Sequence, residues 1–388
     1  MAADIHKAEW HLLDASFPEA DVGLPVPNRN PSTGTAVLQI QNLARSEPTA
    51  YRPGGMPRAA LNQNVFNISP GACMPSIPVS CSFSGFDPAT NPIQWRLVCR
   101  HVLCRYCNVG NYRYRSASDA FQREWRGISR AANFTIFDNE SPECSCTYGN
   151  DSYLMGGQAI LQVAAVAGGT MVSDFVHLQI GGLNPAQNDV LDYLQRELVD
   201  VDPNVVSMVR AIFAHESNYR QFSSTAQSNA SMTFSFQRGY HDTAAQPDCK
   251  VAFAWPADPP NFPSVAFDYG VGISQYTRVG GQSISSDIAW DWRENIRAGV
   301  NLFLQNKLKP RLKPGMSWRD WAAAAWAAYN GSGEAAKNYA AKLAASADGV
   351  KVSGQPVPGG FQIAMLKAPE ILAAPTPWMP ESLTATAV

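Results

Sequence analysis

The chain has 388 residues, a formal net charge of −2, 45% hydrophobic and 16% charged residues, and 28 each of glycine and proline. That length suits two or three domains with an ample core. The near-neutral charge excludes a general nucleic-acid or membrane-surface role, and no run approaches the ~18 apolar residues of a spanning helix, so no membrane insertion is expected.

The opening "MAADIHKAEWHLLDASFPEADVG" has no basic segment followed by an apolar run. It therefore predicts no secretory signal peptide. Residues 1–65 are rich in Pro, Asn and Arg and read as a partly ordered arm with one strand at "TAVLQIQNL". Residues 66–186 read as all-β. "NPIQWRLVCRHVL" and "ANFTIFDN" have strand composition, and "GGQAILQVAAVAGG" and "TMVSDFVHLQIGG" read as two strands turning at Gly168-Gly169. In the second of these, Val176, Leu178 and Ile180 alternate with His177 and Gln179, which predicts an immunoglobulin-like β-sandwich with His177 in solvent.

Seven of the eight cysteines lie between 73 and 146. Cys104-x-x-Cys107 with Cys144-x-Cys146 has enough thiols for a zinc site. The same residues read equally as disulfides in an oxidising compartment, or as free thiols. No cofactor is called for.

"GGLNPAQNDV" marks a boundary. Residues 187–349 read as a mainly α domain, interrupted by a long insertion, 223–270, in which "PADPPNFP" forbids a regular helix. An insertion of that length is expected to be functional or disordered. Residues 350–388 form a Pro- and Ala-rich tail.

The chemistry sits on the α-patterned stretch. In "DPNVVSMVRAIFAHES", Asp202 is a candidate N-cap and Pro203 takes the first helical position. Val205, Val209, Ile212 and Glu216 follow at spacings of four, three and four, placing Glu216 at the C-terminal end of the apolar stripe. Apolar surroundings and the negative end of the helix dipole both favour a protonated carboxyl there. A carboxylic acid kept protonated is what a glycosidase uses to protonate a leaving sugar oxygen. The alternative is a surface glutamate at an ordinary helix end. A zinc-protease reading of His215-Glu216 fails, because the H-E-x-x-H motif requires histidine where Tyr219 stands. Two further stretches matter. "DYGVGISQYT" carries Gly270, Gly272 and Gln275. "WAAAAWAAYNGSG" puts Trp318, Trp321, Ala325 and Ala328 on one stripe and ends near Asn330-Gly331, with Tyr329 just before.

Glu216-Ser217, Gly272-Ile273-Ser274-Gln275 and Ala328-Tyr329-Asn330 followed by Gly331, in that order, resemble the soluble lytic transglycosylases and their lysozyme-like muramidase relatives. The resemblance covers roughly 190–345 and implies a lysozyme-like catalytic domain acting on peptidoglycan. It implies that Glu216 is the single acid/base, that Ser217 orients substrate or Glu216, and that Gln275 lines a glycan cleft. It also implies that Tyr329 hydrogen-bonds Glu216 and that Asn330 shapes the cleft. The 59 positions between Glu216 and Gln275 exceed the family's usual spacing. Within that gap Phe253, Trp255, Phe262 and Phe267 suit either stacking on sugar rings or a small core of the insertion. A muramidase that hydrolyses the bond usually needs a second carboxylate. Asp268 is the candidate, ahead of Asp258 and Asp248. The β-rich region loosely resembles modules of bacterial cell-wall effectors and phage lysins. That likeness implies synthesis in the cytoplasm, delivery to the periplasm by a secretion machine such as type VI or by lysis, and an immunity protein or carrier as partner. The rival expectation is a non-catalytic wall-binding or carrier protein.

Overall fold

The computed structural model describes residues 36–45, 64–109, 112–137, 147–148, 151–152, 154–168, 170–224, 234–236, 249–251, 260–265, 270–277, 284–364 and 366. In chain order the strands are β1 (Val37–Ile40), β2 (Val65–Ile68), β3 (Ile77–Ser84), β4 (Ile93–Val109), β5 (Tyr112–Ser129), β6 (Asn133–Ile136), β7 (Thr147–Tyr148), β8 (Asp151–Ser152), β9 (Gly157–Ala167) and β10 (Thr170–Gly182). They form a three-stranded sheet, β1-β3-β6, a five-stranded sheet, β2-β10-β9-β4-β5, and a small β7-β8 ribbon.

The strands follow their composition. Leu161, Val163, Val176, Leu178 and Ile180 are buried on β9 and β10, as the period of two requires. The opposite face is covered as well. Gln162, Phe175 and Gln179 are no more than 8% exposed, and His177 is half-buried against the Phe175 ring at 5.7 Å. A polar residue on an alternating strand thus marks a covered sheet face here, and His177 is not simply solvated. Asp174, on the other face with a side chain 6% exposed, pairs with Arg45 and accepts the Ile40 amide at 2.8 Å. This charge-assisted contact ties β1 and the residues after it to β10.

The helices are α1 (Gln187–Glu197), α2 (Pro203–Ser217), α3 (Ser286–Trp290), α4 (Trp292–Leu302), α5 (Trp318–Asn330) and α6 (Gly333–Ala344). A π-helical stretch, Phe303–Leu308, prolongs α4. Between α2 and α3 the described residues hold no helix. They include a small antiparallel ribbon, β11 (Phe234–Phe236) with β12 (Cys249–Val251).

The expected immunoglobulin-like sandwich followed by a mainly α lysozyme-like domain is therefore corrected on both counts. The β region is a mixed sheet in which β2 runs parallel to β10, beside a separate three-stranded sheet. The C-terminal half is not mainly α: its helices are separated by extended and turn segments, where Pro and Gly withdraw backbone hydrogen bonds or disfavour helix.

Helices and sheet share one core. Trp290, fully buried at the end of α3, donates its indole N–H to Nδ1 of His101 on β4 at 3.1 Å. Phe262 packs edge-on against both rings, at 5.3 Å from Trp290 and 5.4 Å from His101. Trp292 donates its indole N–H to the Pro70 carbonyl at 3.0 Å. These aromatic contacts fix the start of α4 against the sheet.

Cys73, Cys81 and Cys99 lie outside any disulfide. Burial pushes the Cys81 thiol up to about 12 and raises that of Cys99 further. The zinc and disulfide readings fall on Cys104, Cys107, Cys144 and Cys146, whose side chains lie outside the described ones.

Candidate functional site

The site is built where the end of α2 meets a short loop. Asp202 caps α2 as its composition predicts, accepting the Asn204 amide at 2.8 Å, with Pro203 at the first position. Val205, Val209 and Ile212 are 0%, 1% and 0% exposed, so the apolar stripe is real. The helix stops because Asn218 turns left-handed (φ 52) and Tyr219 follows (φ 61). Glu216 is thereby left half-buried in the last turn. Its Oε1 accepts a 2.5 Å hydrogen bond from the hydroxyl of Tyr339 on α6. The Tyr339 ring also meets the neighbouring His215 edge-on at 5.2 Å. Partial burial, and then Lys342, lower the pKa of His215.

The loop is residues 270–277. Val271 and Tyr276 exchange two backbone hydrogen bonds, at 3.1 and 3.0 Å, closing a tight turn. Gly272 within it has φ +70, and a Cβ there would lie 2.3 Å from Gln221 Oε1 and 2.6 Å from Asn295 Nδ2. Only glycine meets both conditions.

Two fully buried amides hold the loop. Gln221 accepts the Ile273 amide at 3.1 Å and donates to the Ala289 carbonyl at 2.8 Å. Asn295, on α4, donates to the Val271 carbonyl at 2.8 Å and accepts the Ser274 amide at 2.9 Å. The Ser274 hydroxyl adds a bond to Asn295 Oδ1 at 2.9 Å. Gly299 on α4 makes room for that serine, since a Cβ there would lie 2.2 Å from Ser274 Cβ. The loop is thus wired into the core through satisfied polar groups, the arrangement that fixes one backbone geometry.

The three sequence motifs converge on this loop. Ser217, at the end of α2, donates its hydroxyl to the Ile273 carbonyl at 2.7 Å. Tyr329, near the end of α5, donates to the next carbonyl, that of Ser274, at 2.6 Å. Gln275 is left-handed (φ 48), and its side-chain amide donates back to the Gly272 carbonyl at 2.7 Å. Its Oε1 is buried without a hydrogen-bond partner among the described residues. Asn330 is exposed at the last residue of α5.

Ser217 reaches the loop backbone, Tyr339 donates to Glu216 Oε1, and Tyr329 donates to the Ser274 carbonyl. Of the four aromatics weighed for sugar stacking, Phe262 is 3% exposed and belongs to the core around Trp290. Phe253, Trp255 and Phe267 lie outside the described residues, as do Asp248, Asp258 and Asp268. Among the described residues no group of three or more His, Cys, Asp or Glu is placed to hold a metal.

Sequence reasoning did not single out Tyr339, Gln221, Asn295 or Ser274. Tyr339 shares a buried stripe with Ala336, Ala340 and Leu343. A hydroxyl on such a stripe needs a partner, and that was the available signal. Asn295 sits on the buried face of α4 with Ile296 and Gly299, where an amide among apolar residues carries the same message. No family model matches this chain, and no curated protein or solved structure matches it.

Proposed function

We propose that this chain cleaves the glycan strands of peptidoglycan between N-acetylmuramic acid and N-acetylglucosamine, with Glu216 as the acid/base of a lytic transglycosylase. The observation that carries the reading is the convergence on consecutive carbonyls. Ser217 and Tyr329 lie 56 and 55 residues from their acceptors, Ile273 and Ser274, yet both anchor the loop that bears Gln275. Three motifs, dispersed in sequence, are held at one place beside a half-buried carboxyl.

The chemistry needs one carboxyl used twice. Glu216 gives its proton to the bridging oxygen as the C1–O bond of the muramic acid breaks. The carboxylate then takes the proton from the C6 hydroxyl of the same sugar, and that oxygen closes on C1. The acid is regenerated, no water is consumed, and the product is a 1,6-anhydro end. Tyr339 holds Oε1 of that carboxyl. Gln275 Oε1 is a buried acceptor suited to a hydroxyl or amide N–H of the sugar. We place the action in the periplasmic wall after delivery from the cytoplasm, with an immunity protein or secretion carrier as partner.

The test is release of soluble fragments from dye-labelled sacculi by the wild type and by Glu216→Gln. Release by the wild type alone is expected. Equal release by both removes Glu216 from the chemistry, and no release by either supports the wall-binding carrier.

A further inference from the structure

β10 ends at Gly182, and the next two residues, Leu183 and Asn184, stand between the five-stranded sheet and the candidate site. On the sheet side the Leu183 amide donates to the Ile68 carbonyl of β2 at 2.9 Å. On the other side the Gly182 amide donates to the Asn261 carbonyl at 2.7 Å. The approach there is close, since a Cβ at Gly182 would lie 2.2 Å from the Phe222 ring. Pro185 restricts the residue before it to extended backbone, so the course of the chain at Asn184 is set locally.

Asn184 spends its whole carboxamide on two residues. Its Oδ1 accepts the amides of Gln221 and Phe222, each at 2.8 Å, and its Nδ2 donates to the Phe222 carbonyl at 2.8 Å. One side chain thus serves three backbone groups, as a neighbouring strand would. Gln221 and Phe222 follow a left-handed pair, Asn218 and Tyr219, a backbone that persists only where the structure around it is fixed.

Gln221 passes the constraint to the loop by two routes. Its side chain accepts the Ile273 amide at 3.1 Å. Its backbone carbonyl accepts the Ser264 amide at 2.9 Å, and the Ser264 carbonyl accepts the Gly272 amide at 2.9 Å. Both routes end on Gly272-Ile273, where the turn that bears Gln275 begins. Glu216 is held otherwise, by its place in α2 and by the Tyr339 hydroxyl.

We infer that Asn184 is a positioning residue: through Gln221 it sets the Gln275 loop, and so governs how glycan is gripped and not the proton transfer at Glu216. The consequence for glycan rests on the proposed activity; the link from Asn184 to the loop does not.

The test compares full chains carrying Asn184→Ala, Asn184→Asp, Gln275→Asn and Asn184→Ala/Gln275→Asn with wild type, at a temperature where circular dichroism shows all of them folded. Gln275→Asn accepts the left-handed backbone but shortens the reach of the carboxamide. Hydrogen exchange read by mass spectrometry reports the loop directly. In Asn184→Ala the peptide spanning 270–277 is expected to exchange roughly tenfold faster or more, while peptides from α4 and β9 keep wild-type protection. Asn184→Asp keeps both accepting bonds and is expected to retain most of the loop's protection. On sacculi, Asn184→Ala is expected to raise the apparent KM roughly tenfold with kcat within about threefold of wild type. It is expected to add little to the KM of Gln275→Asn, since the two residues act along one path. Wild-type loop protection in Asn184→Ala overturns the inference, as does faster exchange throughout the chain. So does a fall in kcat as large as the rise in KM, full additivity with Gln275→Asn, or an aspartate variant as poorly protected as the alanine one. Failure of the proposed activity reads differently: a loop deprotected by Asn184→Ala in a chain that never cuts sacculi leaves the positioning role standing and ends the catalytic reading.

Discussion

Replacing Asn295 with leucine removes the pin that holds the Gln275 loop while keeping side-chain volume close to constant. Asn295 is fully buried and makes four side-chain bonds to two loop groups, the Val271 carbonyl and Ser274, and to the Ile288 carbonyl. The Ile288 carbonyl keeps a second donor, Gln221 Nε2 at 3.1 Å, and the Ser274 hydroxyl keeps the Asn295 backbone carbonyl at 3.1 Å. The Val271 carbonyl keeps the Tyr276 amide at 3.0 Å, while the Ser274 amide loses its side-chain partner. One buried orphan costs about 1–3 kcal/mol, so Asn295→Leu should cost roughly that much. That corresponds to a fall in Tm of several degrees. Loop displacement should also lower the rate of sacculus digestion by roughly ten- to a hundredfold at a temperature where the variant is fully folded. The assays are urea unfolding followed by tryptophan fluorescence, and fragment release at about 20 °C. A stability within about 0.5 kcal/mol of wild type, or full specific activity in a destabilised variant, refutes the reasoning.

Gly272→Ala should be at least as damaging in the same unfolding assay, about 2–4 kcal/mol, because the left-handed backbone and the close approach of Gln221 and Asn295 both reject a methyl group. Tyr339→Phe should lower kcat about tenfold with little change in KM or Tm, read from initial rates of fragment release, because it removes the donor to Glu216 Oε1 and keeps the ring. Asp291→Asn should raise Tm by a few degrees at pH 7. Burial raises the Asp291 carboxyl above 3.8, so its contribution to stability is full below that value and is lost as pH rises through the folded pKa. Asparagine retains the cap on α4 and has no such loss, so its advantage should shrink as pH falls, which a series of melts from pH 7 to 4 checks. In native protein, iodoacetamide should leave Cys81 and Cys99 unmodified over a time that modifies Cys73, as peptide mapping would reveal, since burial holds the first two thiols protonated and enclosed.

What could be read from sequence was local. Asp202 and Pro203 write the start of α2, and Gly331 follows the end of α5, because caps depend on neighbouring residues. That Tyr339 reaches Glu216 Oε1 depends on how α6 folds back over α2, which no spacing encodes. The buried amides Gln221 and Asn295 were overlooked for a related reason: polar residues read as surface until the backbone groups they satisfy are known. The fold class failed at the sheet. His177 and Gln179 suggested one wet face, but β9 and β10 are covered on both sides. The parallel pairing of β2 with β10, more than a hundred residues apart, left no periodic trace.

The most direct test of the central claim is the mass of the glycan ends that the wild-type chain releases from purified sacculi. A lytic transglycosylase acting through Glu216 gives 1,6-anhydro-muropeptides, lighter by one water than reducing-end products, and Glu216→Gln gives none. Reducing-end muropeptides from the wild type contradict the single-carboxylate mechanism and turn attention to Asp268.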